Sequence, residues 1–238
     1  MDSFLVLPED VHSNRLTLRG DESKHLARVL RKTVGDRILC TDGNDRMFEA
    51  KIDSLGSDVT VCTILATHER YNELAVDITL AVSLLKNPAR FDWLVEKTTE
   101  LGVSAIVPIV CERTIAKKEK HTRLEHIAVA ATKQCGRSYV RRISEATTFE
   151  TMLERSDDFT FRFIAHEKTD SAKTLRHASA ALVPSKSVLV MIGPEGGFTD
   201  EEVNSATTRN VLPLSLGSRR LRAETAAVAA INLIGASL

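Results

Sequence analysis

Two glycine-containing loops in the C-terminal part of the chain carry residue types that suit the binding of a small molecule. The first spans residues 193–197 and the second spans residues 217–222. Glycine adopts positive φ freely, so such a loop can turn sharply and bring its peptide groups close to a ligand. The second loop also contains three arginines that a turn does not require: Arg219, Arg220 and Arg222. Guanidinium groups bind anions and stabilise developing negative charge, which predicts a functional site here.

Each loop lies between an apolar run and the start of a helix. Residues 188–192 are all aliphatic or Met, which is typical of a strand buried on both faces. After this first loop, Thr199 and Glu202 have the spacing of a capping box. The apolar run at residues 212–216 and a helix beginning near Ala223 flank the second loop in the same way. Ligands bind at the carboxyl ends of strands in open α/β sheets, so we expect the two loops to form one site.

The glycines also have a purely structural explanation, because any turn between a strand and a helix favours glycine and a cap. Either loop alone is therefore weak evidence, and it is the pair of loops with the three arginines that favours a functional site. Neither loop has the G-x-G-x-x-G fingerprint of dinucleotide-binding proteins or the G-x-x-x-x-G-K-[ST] pattern of phosphate loops. A nucleotide-phosphate site is not predicted.

The two loops resemble the signature loops of a known enzyme family. Gly-Pro-Glu-Gly-Gly-Phe at residues 193–198 and Leu-Gly-Ser-Arg-Arg-Leu-Arg-Ala-Glu-Thr at residues 216–225 look like the two motifs of the RsmE family. These SPOUT-superfamily methyltransferases methylate N3 of a uridine in small-subunit (16S) ribosomal RNA. Matches at residues 86–114 and at Gln-Cys-Gly-Arg, residues 134–137, extend the resemblance over nearly the whole chain.

The resemblance implies that S-adenosylmethionine is the cofactor and that a homodimer completes the site. The residues expected to hold the cofactor, largely through backbone groups, are Met191, Ile192, Gly193, Gly197, Leu214, Leu216, Gly217, Leu221 and Thr225. The expected nucleophile is the anion of uridine N3, a weakly acidic imide, which a nearby guanidinium can favour electrostatically. We assign this catalytic role to Arg222, with Glu224 orienting Arg222 or Arg219 through a bidentate pair.

Two basic segments predict contacts with RNA. Basic residues outnumber acidic ones at residues 15–37, where a predicted helix at residues 21–31 turns Leu26 and Val29 inward and its cations outward. Basic residues also dominate residues 113–142. A solvated helix face or complementarity to a helix dipole is the alternative explanation. With the family resemblance, these segments give the following RNA-binding residues: Lys24, His25, Arg28, Arg31, Arg113, Gln134 and Arg137. Arg219 of the second loop is assigned to RNA binding as well.

The patterning divides the chain into two domains. Residues 1–70 contain short alternating strands and turn signals, and resemble the PUA-like β-barrel RNA-binding domain of the family. Strand and helix patterns alternate in residues 74–238, which predicts an α/β domain with a mostly parallel sheet. Periodicity alone favours an open doubly wound sheet, because knots are very rare in proteins. The resemblance implies instead a SPOUT-type domain with a C-terminal trefoil knot.

Composition excludes several classes of protein. A hydrophobic content of 43%, with no apolar run near the ~20 residues of a membrane span, argues against a membrane protein. The cysteines of this chain form no C-x-x-C pair and follow no secretory signal, so we expect reduced thiols in the cytoplasm. The histidines His121, His126, His166 and His177 lack the spacing of metal ligands, so no metal is expected. The acidic stretch at residues 145–170 is interpreted as a solvated outer face.

Other functions compatible with the sequence come from different classes. A SPOUT enzyme that methylates a ribose 2′-oxygen or another base is the nearest alternative. A non-catalytic RNA binder in ribosome assembly is a second alternative. A dinucleotide-dependent reductase is the least supported, because the glycine fingerprint and its acidic ribose partner are missing.

Overall fold

The computed structural model describes residues 3–116, 120–169 and 186–236. Contacts divide the chain into two compact units. The first unit runs to Glu73 and also includes Val129–Val140, and the second contains Leu74–Ala128 and the chain from Arg141 onward. The sequence assigns residues 129–140 to the second domain, whereas their contacts lie with the first unit. Contacts between segments so far apart along the chain leave no local pattern in the sequence.

The first unit contains a six-stranded sheet in the order β1-β4-β5-β6-β3-β2. Its strands are β1 (Ser3–Leu5), β2 (Val11–His12), β3 (Arg15–Arg19), β4 (Arg37–Thr41), β5 (Arg46–Leu55) and β6 (Val59–Glu69). All neighbours are antiparallel except β1 and β4. The register between β5 and β6 shifts twice, and such bulges bend and twist a sheet. The alternating residues of these strands bury one face, so the predicted β-rich domain is confirmed.

The basic helix of the first unit is α-helical only in its first part. Helix α1 (Gly20–Lys24) continues as a π-helix at His25–Val29, where Leu30 N donates to His25 O at 3.1 Å. Leu26 is fully buried, as predicted, but Val29 is 64% exposed, so its predicted inward position is wrong. The wider i→i+5 turn changes which side chains face the sheet, and a period of 3.6 does not anticipate this.

Arg137, which the sequence assigns to RNA binding, is buried in the first unit. Its side chain is 2% exposed and its guanidinium binds the Glu73 carboxylate, which is 4% exposed. Gly136, at φ +69°, turns the chain directly after the helix, and Asn72 Nδ2 donates to its carbonyl at 3.0 Å. Tyr139 N donates to Glu73 Oε1 at 3.1 Å. Arg137 lies beyond the end of the preceding helix, so the helical period of 3.6 residues does not predict where its side chain points.

The second unit contains a seven-stranded sheet in which every pairing is parallel. Its strands are β7 (Asp77–Ser83), β8 (Ala105–Val110), β9 (Arg142–Ile143), β10 (Thr147–Thr148), β11 (Phe161–Ala165), β12 (Ser187–Ile192) and β13 (Leu212–Leu214). Six follow the order β10-β8-β7-β12-β11-β13, and β9 pairs with β8. The predicted parallel α/β sheet is confirmed.

Among the described residues, α1 is followed by the α-helices α2 (Pro88–Glu100), α3 (His121–Cys135), α4 (Phe149–Glu154), α5 (Asp200–Thr208) and α6 (Ala223–Gly235). Strand β12 packs on both faces, because Val188, Val190 and Ile192 join one apolar core while Leu189 and Met191 join the other. This confirms the buried strand predicted for residues 188–192. Helix α6 follows the edge strand β13 yet packs against α2, β7 and β12. The trefoil knot implied by the resemblance stays a prediction.

No helix in residues 3–116, 120–169 and 186–236 is long and apolar enough to cross a membrane. Nor do three or more potential metal ligands gather anywhere in that part of the chain. His177, one of the histidines considered as a ligand, lies outside the described residues.

The buried pair predicts a large loss of stability for Arg137→Ala. This change leaves the Glu73 carboxylate buried without its guanidinium partner, so we expect the free energy of unfolding to fall by about 3–5 kcal/mol. Arg142→Ala is the matched control, because Arg142 is exposed and nearby in sequence, and it should change this free energy by less than about 0.5 kcal/mol. Denaturant unfolding measures both. An Arg137→Ala protein with wild-type stability and weakened RNA binding would restore the sequence-based assignment.

Candidate functional site

A cavity of about 310 Å³ lies in the second unit, where the three neighbouring strands β12, β11 and β13 end. Both glycine-containing loops line it, so the structure brings together the two segments that the sequence paired. The predicted cofactor-site residues on its walls are Ile192, Gly193, Gly197, Leu214, Leu216, Gly217 and Leu221. Two others are not on the walls: Met191 is buried in the core, and Thr225 is exposed on α6. The position of Met191 away from the cavity follows from strand alternation, since Ile192 and Met191 face opposite sides of the sheet.

The first loop turns sharply after β12. A Cβ atom on Gly193 would lie 3.0 Å from Phe198 N and 3.2 Å from Gly197 C, so a side chain here would require the adjoining backbone to shift. Gly197, at φ +69°, closes the turn by donating to Pro194 O at 2.8 Å. Helix α5 begins immediately afterwards. Its capping box is confirmed, because Thr199 Oγ1 accepts from Glu202 N at 3.1 Å and Glu202 Oε2 accepts from Thr199 N at 2.8 Å.

Glu202 also holds the first loop through a second hydrogen bond to the backbone. Its Oε1 accepts from Glu112 N at 2.9 Å, so this buried carboxylate joins the start of α5 to the segment after β8. Next to it, Arg113 Nη1 donates to Gly196 O at 2.8 Å. Arg113 lines the cavity, and the RNA contact predicted for it stays a prediction. In the same segment, burial raises the pKa of the Cys111 thiol to about 12, which keeps it protonated.

The second loop places its arginines beside the cavity. Gly217 has φ +111°, a conformation that favours glycine, and no other atom lies within 4 Å of its Cβ position. Arg219, Arg220 and Arg222 are exposed and line the cavity. Arg222 is the N-cap residue of α6, and Arg220 Nε lies 3.4 Å from a carboxylate oxygen of Glu167. Three arginines therefore line one cavity, which suits a ligand or reaction that carries negative charge.

Glu224 does not hold Arg222 or Arg219, so the predicted bidentate pair is wrong. Glu224 is 8% exposed, and its Oε1 lies 3.7 Å from the Nε of Arg90 on α2. Its Oε2 has no hydrogen-bond partner within the described part of the chain. Residues two apart along a helix do not face each other, which directs Glu224 away from Arg222 and towards α2.

The structure adds three cavity residues that the sequence placed on a solvated outer face: His166, Glu167 and Lys168. They follow β11, which lies between the two strands that lead into the glycine-containing loops. Lys168 Nζ donates to Asp200 at 2.7 Å and lowers the pKa of that carboxyl. The rule that ligands bind at the carboxyl ends of parallel strands could have identified them, because they directly follow the apolar residues of β11.

The predicted RNA-binding residues of the first unit form an exposed basic surface. Lys24, His25, Arg28 and Arg31 are exposed on the helical segment and directly after it. Lys24 Nζ lies 3.6 Å from Asp21 and 3.5 Å from Asp58. Arg28 and Arg31 have no ion pair among the residues that the structure describes. Gln134 is also exposed, whereas Arg137 is buried.

Comparison with known proteins supports both units. A family model for an RNA methyltransferase domain matches residues 72–235, and a model for an RNA methyltransferase PUA domain matches residues 18–61. Ribosomal RNA small subunit methyltransferase E of Bacillus subtilis is 30% identical over 227 residues, which cover 92% of this chain and 88% of that protein. The enzyme of the same name from Synechocystis is 31% identical over 238 residues, which cover 99% of this chain and 77% of that protein.

A solved structure extends this similarity to three dimensions. The crystal structure of ribosomal RNA small subunit methyltransferase E from Neisseria gonorrhoeae, bound to S-adenosyl methionine, has a TM-score of 0.84. It is 30% identical, and the match covers 97% of this chain and 95% of that one. The predicted combination of a PUA-like domain and an α/β methyltransferase domain is confirmed by these matches.

The hydrogen bonds that Glu202 accepts from Thr199 N and Glu112 N predict that Glu202→Gln destabilises the first loop. The amide nitrogen of glutamine would replace an oxygen that accepts from a backbone N–H, so one buried donor loses its acceptor. We expect unfolding to become easier by about 1–3 kcal/mol and amide hydrogen exchange to speed up at Thr199 or Glu112. Glu201→Gln, on the exposed neighbouring residue, should leave both measurements at the wild-type level. Equal stability of the two variants would show that Glu202 does not hold the loop.

Proposed function

Because this chain belongs to the ribosomal RNA small subunit methyltransferase E family, we propose that it transfers a methyl group from S-adenosylmethionine to N3 of a uridine in small-subunit ribosomal RNA. The observation that carries this proposal is the cavity that both family-like loops and Arg222 line together. S-adenosylmethionine-dependent methylation of ribosomal RNA follows from the family, and the choice of uridine N3 follows from the resemblance of the two loops.

The cavity fits the proposed cofactor. Its volume of about 310 Å³ lies at the lower end of the range for small-molecule sites, about 300–1,000 Å³. Apolar side chains such as Ile192, Leu214 and Leu216 offer contacts to an adenine ring, and the glycine-containing loops leave peptide groups accessible beside them. When bound, the cofactor supplies an activated methyl group, and the protein must position the nucleophile and exclude water.

Arg222 supports methylation of a weakly acidic nitrogen. The side chain is exposed at the start of α6 and lines the cavity, so its permanent positive charge can stabilise the uridine anion. Glu224 no longer has the orienting role predicted for it. Arg222 is the N-cap residue of α6, so its backbone is placed at the start of that helix.

The basic surface of the first unit supports binding of RNA. Arg28 and Arg31 are exposed, and several cations on one surface bind phosphates with release of counterions. The target base must leave its stack to reach a cavity, and contacts to the flanking backbone favour that state. We further propose that the protein acts in the cytoplasm as a homodimer, on free ribosomal RNA or on the small ribosomal subunit.

Mapping of the methylated position tests the proposed function. Small subunits from a strain that lacks this gene serve as substrate, and methyl transfer from labelled S-adenosylmethionine is followed by digestion and analysis of the nucleosides. N3-methyluridine as the product supports the proposal. Methylation of a ribose 2′-oxygen or of another base contradicts the proposed position, and absence of cofactor binding in calorimetry would favour a non-catalytic RNA binder.

Replacement of Arg222 should affect turnover more than binding. Without its guanidinium, Arg222→Ala cannot stabilise the uridine anion, so we expect kcat to fall by about 10²–10³-fold. RNA affinity and cofactor affinity should stay within about twofold of the wild type. Arg209→Ala, on an exposed arginine outside the cavity, is the control for loss of a surface charge. Normal methylation by Arg222→Ala would refute its assigned role.

Two glycines with similar positive φ values can distinguish an effect on the cavity from a general loss of stability. Gly217 and Gly35 have φ values of +111° and +98°, and neither has an atom within 4 Å of its Cβ position. Alanine at either position should cost about 1–3 kcal/mol of strain. Only Gly217→Ala should weaken cofactor binding in calorimetry, by about tenfold or more, because only Gly217 lines the cavity. Equal cofactor affinities of the two variants would place the cofactor elsewhere.

A further inference from the structure

His166 lies between the two glycine-containing loops because of the strand order. Strand β11 pairs with β12 on one side and with β13 on the other, and His166 is the first residue after β11. Its backbone N–H donates to Leu214 O at 3.0 Å, which continues the ladder with β13. The side chain lines the cavity together with both loops. His166 therefore occupies the middle of the three strand ends that form the site.

Most other titratable groups on the cavity wall are held by a partner. Glu195 Oε1 accepts from Lys86 N at 2.9 Å, and Glu167 lies 3.4 Å from Arg220. Lys168 donates to Asp200 at 2.7 Å and 3.1 Å. The arginines of the wall cannot accept a proton, because a guanidinium stays protonated in proteins. This leaves the imidazole of His166, which makes no side-chain hydrogen bond to any other described residue.

The surroundings of the imidazole favour its neutral form, chiefly because the ring is partly buried. Burial lowers the pKa of His166, and the nearby Lys168 ammonium lowers it further, while the Asp200 and Glu167 carboxylates act in the opposite direction. The net shift is downward from the ordinary value of 6.5. At neutral pH the ring is therefore mostly unprotonated, and a neutral imidazole can accept a proton.

We propose that His166 is the general base that removes the proton from uridine N3. This inference rests on the proposed function. The N3–H bond breaks and its proton moves to an imidazole nitrogen. The electron pair left on N3 forms the new bond to the methyl group, while the methyl–sulfur bond breaks and its electron pair stays on sulfur. The imidazolium then returns its proton to water, which restores the protein.

The two side chains then have separate tasks that neither can perform for the other. His166 accepts the proton, and Arg222 stabilises the anion before the methyl group is transferred. The arginines and the sulfonium of the cofactor disfavour protonation of the resting imidazole, so it is in the form that can accept the N3 proton. A guanidinium beside the uridine also favours loss of the proton from N3, since it lowers the energy of the uridine anion.

The pH dependence of His166→Gln tests the inference. At pH 7, kcat should fall by about 10²–10⁴-fold, the usual contribution of a general base. As the pH rises, the variant should recover by about tenfold per pH unit, because uridine then ionises without a base. The wild type should show an acid limb in kcat/KM with an apparent pKa below the ordinary histidine value, and His166→Gln should lack it. His12→Gln, on an exposed histidine of the first unit, should keep the wild-type profile.

Two measurements separate a base from a residue that only binds the cofactor. In the cofactor-free protein, NMR titration should assign to His166 an imidazole signal with a pKa below 6.5, identified by its loss in His166→Gln. Calorimetry should give the variant a cofactor affinity within about twofold of the wild type. A loss of cofactor affinity as large as the loss of turnover would overturn the inference, because His166 would then be a binding residue.

The product separates failure of this inference from failure of the proposed function. A wild-type product other than N3-methyluridine overturns the proposed function and the role of His166 with it. N3-methyluridine formed by His166→Gln with the wild-type rate and pH profile overturns the role of His166 alone. Loss of turnover that returns at high pH, with N3-methyluridine as the product, supports both.

Discussion

Three neighbouring parallel strands end at the same edge of the sheet, and the candidate site depends on this constraint. Strand β12 leads into the first glycine-containing loop, β13 leads into the second, and β11 between them ends at His166. The register Ile164↔Met191 and Ala165↔Leu214 sets how far each strand extends. A slip by one residue in β11 would turn its side chains to the opposite face and move His166 away from the cavity. Backbone pairing thus joins three segments that are distant along the chain.

The loops at this edge have few regular backbone hydrogen bonds of their own, so side chains hold them. Glu202 accepts backbone N–H groups from Thr199 and Glu112, and Arg113 donates to Gly196. Glu195 accepts the N–H of Lys86 in the same way. These contacts connect the first loop to the ends of neighbouring strands. A cavity whose walls are fixed before binding loses less conformational entropy when a ligand enters, which favours affinity and alignment.

Two arginines illustrate how burial decides the role of a charged residue. Arg137 is enclosed with Glu73, a carboxylate 64 residues away, so its charge stabilises the first unit. Arg222 is exposed at the first turn of α6 and faces the cavity, so its charge remains available to a ligand. Both lie in segments that the family motifs cover. A count of basic residues cannot separate them, because the difference lies in whether a distant carboxylate meets the guanidinium.

The sequence by itself determined those features that short-range patterns encode. The apolar run at residues 188–192, the capping box at Thr199 and the two glycine-containing loops each follow from neighbouring residue types, and the α/β class follows from their alternation. Only the tertiary structure decided which distant groups meet. It directed Glu224 towards Arg90, enclosed Arg137 and placed His166 between the loops. The physical reason is that strand order and long-range burial set these contacts, and neither leaves a periodic signal along the chain.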